Sequence, residues 1–90
     1  MNQFIDKTLI NKLMLFEEVE EENIRQLRKW GIQSHSSFEW LTYTTEELGE
    51  LATAISEYEY RGGDSEDVVK EAIQVATLAL KIAEMFEGLP

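Results

Sequence analysis

Ninety residues with 43% apolar side chains make one small globular domain, and the absence of cysteine excludes disulfides and thiolate metal sites. With 18 acidic against 8 basic residues and a net charge of −10, the chain lacks the basic footprint that nucleic acid binding requires. No apolar run is long enough to span a bilayer and the opening residues lack a secretory layout, so the expectation is a cytoplasmic protein without a membrane partner.

Five glycines and a single proline, at the last position, leave long uninterrupted segments that favour helices. A first helical segment is expected from about Asn2 to Trp30. Ile5, Leu9, Leu13 and Phe16 recur at helical spacing, and Ile24 and Leu27 resume it. The acidic run Glu17–Glu22 between them reads as a solvated face, with either one long helix or a soft joint near Phe16. Gly31 suits a helix C-cap. Ser36 and Glu39 have capping-box spacing, so a second helix should start near Ser37 and run to about Tyr60, with Leu41, Thr44, Leu48, Leu51, Ile55 and Tyr58 as its apolar stripe. Arg61-Gly62-Gly63-Asp64 breaks that pattern. Asp64 or Ser65 should cap a third helix that continues to about Glu87. This helix is apolar around most of its circumference, with a polar strip only through Thr77, Lys81 and Glu84. Two short neighbours can hardly cover it, which predicts a helical bundle shared between chains.

Several carboxylates sit where solubility does not explain them. Glu47 and Glu50 share a face of the second helix, and Glu46 lies one turn before Glu50. Glu71 falls inside the apolar sector of the third helix, with Gln74 one turn on. A buried, unpaired carboxylate is costly, so Glu71 is expected to face Glu47 and Glu50 and to hold a hard cation with them. The plain alternative is that Glu71 snorkels or pairs with Lys70, Arg61 or Lys81. In a simple antiparallel hairpin, Glu47 and Glu71 would be offset by about 12 Å along the helices at 1.5 Å per residue. Helix crossing, an irregular connection or ligands drawn from two subunits could each remove that offset.

Glu46-Glu47-Leu48-Gly49-Glu50 resembles the Glu-Glu-x-x-Glu signature of the MazG-like nucleotide pyrophosphohydrolases. Glu71-Ala72-Ile73-Gln74 is the best match to the family's following Glu-x-x-Asp, and Trp30 with Gln33-Ser34-His35 looks like its Trp…Gln-Thr-His element. The resemblance covers about residues 24–86. It implies an all-α fold of three helices, a single MazG-like domain over 1–90 that forms homodimers or homotetramers. It also implies hydrolysis of nucleoside triphosphates to monophosphate and pyrophosphate, in nucleotide-pool housecleaning. By position, Glu47, Glu50, Glu71 and Gln74 would hold Mg²⁺, with Mn²⁺ as an alternative ion, and Glu46 would orient or deprotonate water. Lys29, Trp30 and Lys81 would contact phosphate or base, and Gln33 and His35 would organise the loop beside them. Gln74 stands where the family has aspartate. Three carboxylates then suffice, or Asp67 substitutes, or catalysis has been lost and a nucleotide-binding or adaptor module remains.

Overall fold

The computed structural model describes residues 13–90, which form three helices without strands: α1 (Leu13–Trp30), α2 (Ser37–Arg61) and α3 (Ser65–Phe86). The expected start of the first helix, at residues 2–12, lies outside the described residues. Within them α1 runs unbroken through the acidic segment, so no joint occurs at Phe16.

The boundaries follow from local chemistry. Gly31 ends α1 at φ +72°, and its amide donates to the Leu27 carbonyl at 2.8 Å. Ser36 and Glu39 form a complete capping box: the Glu39 amide donates to Ser36 Oγ at 3.1 Å and the Ser36 amide to Glu39 Oε1 at 2.8 Å. Asp64 caps α3 by accepting from the Glu66 amide at 2.9 Å. No helix of the described residues is long and apolar enough to cross a membrane.

α3 is the central element, packed along α2 and, over a shorter stretch, against α1. The faces it uses differ from the apolar stripes of the sequence. On α2 the packed face is Trp40, Thr44, Glu47, Leu51 and Ala54, whereas Leu41, Leu48, Ile55 and Tyr58 are exposed. The contact is rotated by about 50°, half of one residue's step around the helix. On α1, Leu13, Phe16, Ile24 and Leu27 face outward while Glu18, Glu22, Asn23 and Gln26 are half-buried. The acidic run is therefore not one solvated face: Glu17, Glu20 and Glu21 are exposed, and Glu18 and Glu22 turn inward.

α3 behaves in the same way. Thr77, expected on an outer polar strip, is 2% exposed, and its hydroxyl is satisfied by donating to the Ile73 carbonyl at 2.8 Å. Lys81 is half-buried beside it. Val69, Leu80, Met85 and Phe86 are exposed. The inward faces thus mix apolar and polar side chains, with Trp40, Thr77 and Leu78 buried between the helices, and further apolar side chains are left outside.

Candidate metal centre and cleft

The turn between α2 and α3 sets the register of the site. Gly62 adopts φ +70°, and the Gly63 amide donates to the Glu57 carbonyl at 2.8 Å. The chain has therefore already doubled back one turn before α3 starts. Counted from Glu57, Glu50 lies about 10 Å along α2, and Glu71 lies about 9 Å into α3 from Ser65. Glu47 lies about 15 Å from Glu57 on the same count, so the expected 12 Å offset from Glu71 shrinks to about 6 Å, which the two side chains span within a single chain. One carboxylate oxygen each from Glu47, Glu50 and Glu71 lie within 4.8 Å of one another.

Crowding of three carboxylates favours the protonated form of one of them. The Glu47 carboxyl is pushed up from 4.5 to about 7 by burial, by the Glu50 charge and by hydrogen bonding with Glu71 and Glu50. Gln74 relieves part of the strain. With its amide nitrogen toward the carboxylates it donates to Glu47 Oε2 at 2.7 Å and to Glu71 Oε2 at 2.9 Å. No ion pair forms between Glu71 and Lys70, Arg61 or Lys81 among the described residues, whose salt bridges are Arg25–Glu22, His35–Glu39 and Arg61–Glu57. The donor set is all oxygen and mostly anionic, which fits a hard divalent cation such as Mg²⁺; rotation of the Gln74 amide would add a neutral oxygen.

The triad lies in a cleft of about 770 Å³ between the three helices. Lys29, Trp30, Gln33 and Glu46 line the same cleft, as does Gln74. Glu46 is exposed and stands apart from the converging oxygens. Lys29 sits 4.7 Å from the centre of the Trp30 ring. Lys81 is not in this cleft; it points to Gln26 and Trp40 behind it. His35 is also outside. Its ring meets Trp40 edge-on at 4.9 Å and Tyr43 at 5.2 Å, with Glu39 Oε2 3.9 Å from Nδ1, so it braces the aromatic wall. Asp67 lies in an adjoining groove with Glu50 and Glu71 but outside the converging triad.

Arg25, Glu22, Gln26, Tyr43 and Lys70 also line the cleft, and the sequence reading had missed them. Arg25 grips Glu22 through Nε at 2.8 Å and a terminal nitrogen at 2.6 Å, and this bond to Arg25 holds the Glu22 carboxyl below its usual range. Gln26 donates to the same carboxylate at 2.7 Å. The available signal was the Glu22, Arg25, Gln26 spacing of one polar helical face, hidden because the acidic run was assigned to solvent. Comparison with protein-family models, with curated proteins and with solved structures finds no match to this chain.

Proposed function

We propose that this chain is a Mg²⁺-dependent nucleoside triphosphate pyrophosphohydrolase of the MazG type that works as a homo-oligomer. The observation that carries the reading is the meeting of Glu47, Glu50 and Glu71 oxygens within 4.8 Å. They do so in a cleft whose other walls present Arg25, Lys29, Lys70 and Trp30. An acidic site alone would repel a polyphosphate. Cationic side chains beside it, with an aromatic ring, match a ligand that combines phosphate charge with a base.

Glu47, Glu50 and Glu71 would hold the ion, with the Gln74 oxygen in a fourth place. When bound, Mg²⁺ would offset negative charge on the phosphate oxygens as the α–β anhydride bond breaks. Arg25, fixed by Glu22, would orient the phosphate chain, and Lys29 would contact it from the α1 end. Glu46 lines the cleft outside both the triad and the Arg25–Glu22 pair. It is free to accept the proton of the attacking water while pyrophosphate departs with the bridging oxygen.

The test is pyrophosphate release from nucleoside triphosphates with Mg²⁺. Glu47→Gln and Glu71→Gln should each lower the rate by at least about a hundredfold, the scale of a lost catalytic contact. Full activity in both variants would remove the site from consideration. Gln74 supports a second reading, because with its amide nitrogen toward the carboxylates it occupies oxygens of Glu47 and Glu71 that an ion would use. A nucleotide-binding module without turnover would show Mg²⁺-dependent stabilisation by nucleotide and no pyrophosphate.

A further inference from the structure

Arg25 is the cation that the hydrolase reading sets against the phosphate chain. Its Nε and one terminal nitrogen bind the Glu22 carboxylate at 2.8 and 2.6 Å, which leaves its other N–H groups for a ligand. The Glu22 side chain is 10% exposed and that of Arg25 51%, so Glu22 is the anchor and Arg25 the arm that reaches into the cleft. An anchor is only as fixed as its helix. Among the described residues α1 packs against α3 and not against α2, and none of its residues is fully buried. Apolar burial alone therefore defines the place of α1 weakly.

A chain of polar contacts supplies the constraint. Lys81 on α3 donates from Nζ to Gln26 Oε1, the side-chain hydrogen bond that joins α3 to α1 among the described residues. The Gln26 amide nitrogen donates at 2.7 Å to Glu22 Oε2, the same oxygen that receives the terminal nitrogen of Arg25. Lys81 is itself set by Trp40, a buried residue of α2 whose ring centre lies 5.2 Å from Nζ. An ordinary surface lysine keeps its head in water. Lys81 is half-buried: burial pushes its pKa down, and the Glu22 charge acts in the opposite direction. Among the described residues it forms no salt bridge, so its link to Glu22 runs through Gln26. Resting on the phosphate contact that the hydrolase reading gives Arg25, we infer that Lys81 and Gln26 are positioning residues, which act through Glu22 to hold Arg25 toward a polyphosphate in the cleft.

The probe is inorganic tripolyphosphate with Mg²⁺, its affinity measured by calorimetry. Lys81→Met and Gln26→Leu should each bind it about tenfold more weakly than the natural chain, the scale of one charge-assisted hydrogen bond. Lys81→Arg, which keeps the donors, should restore most of the affinity. The deciding comparison is a double-mutant cycle with Arg25→Ala. Once Arg25 is gone, adding Lys81→Met should change affinity by less than about twofold, because the group through which the lysine acts is missing. Gln26→Leu in the Arg25→Ala background runs the same comparison without altering α3. A lysine that only supports the fold would weaken binding by the same factor in both backgrounds. That result overturns the inference, as does unchanged affinity in Lys81→Met and Gln26→Leu, or a natural chain that does not bind tripolyphosphate. Pyrophosphate release from nucleoside triphosphates is scored separately. A coupled cycle without release supports the positioning role and overturns the hydrolase reading; release with an additive cycle does the reverse.

Discussion

Burial and two neighbouring carboxylates act on Glu47 in the same direction, raising its pKa to about 7. The consequence for stability has a definite sign. Below about pH 4.5 the group is protonated in both folded and unfolded chains, and its contribution is fully present. As pH rises toward 7 the unfolded chain ionises first, so the folded state loses ground until Glu47 also ionises. Without divalent ions, the melting temperature should fall between about pH 5 and pH 7.5, and Glu47→Gln should flatten that part of the profile. The proposed Mg²⁺ site predicts the reverse trend in the natural chain, since an ion held there would favour the ionised carboxylate. Thermal melts at stepped pH, with chelator and with Mg²⁺, check this; coincident profiles for the natural chain and Glu47→Gln would count against the coupling. Gln74 makes a second prediction. Its amide bridges Glu47 and Glu71, so Gln74→Asp removes two donated bonds and adds a fourth negative charge. The metal-free melting temperature should drop, and the rise produced by Mg²⁺ should exceed that of the natural chain.

The Gly62-Gly63 turn is where element geometry becomes site geometry. A Cβ at Gly63 would stand 2.9 Å from the Glu57 carbonyl carbon, a backbone atom that cannot swing aside. Gly63→Ala should therefore open the α2–α3 turn, lower the melting temperature and weaken the stabilisation by Mg²⁺, because Glu71 loses its register with Glu50. Retention of the full Mg²⁺ response would show that the turn does not set the triad. Ser36→Ala tests a cap remote from the carboxylates: loss of the Glu39 bond should cost about 1 kcal/mol and leave the Mg²⁺ response intact. The capping box, the Gly31 stop and the Asp64 start were legible because each depends on residues within a few positions. The triad was legible in composition, since Glu71 on an apolar sector needed an explanation. Its register was not, because the Gly63-to-Glu57 hydrogen bond returns the chain by a turn that helical periodicity does not encode. The packed faces were misread for a different reason. Leu41, Leu48 and Ile55 form the apolar stripe of the second helix, but Trp40, Glu47 and Ala54 occupy the face that packs within the chain.

At the scale of the whole molecule, the outward stripe of α2 is the feature that a single chain leaves unexplained. Phe38, Leu41, Leu48 and Ile55 are 79%, 51%, 53% and 44% exposed. With Thr45 and Ala52, also exposed, they follow the alternating three- and four-residue spacing of a heptad seam. The flanking positions Thr42, Gly49 and Ser56 are small and uncharged. In a chain of net charge −10, an uncharged seam is the surface on which two copies can approach without repulsion. A two-fold contact would bury the same stripe on both partners. Leu48 is exposed and outside the triad, so Leu48→Glu should prevent the proposed two-fold contact without removing the triad's ligands. The expected record is a dimer or larger species of the natural chain by sedimentation equilibrium, a monomer for Leu48→Glu, and Mg²⁺-induced stabilisation in both. A natural chain that remains monomeric at tens of micromolar would leave the seam without its second copy. Loss of the Mg²⁺ response in monomeric Leu48→Glu would instead mean that each centre depends on its neighbour.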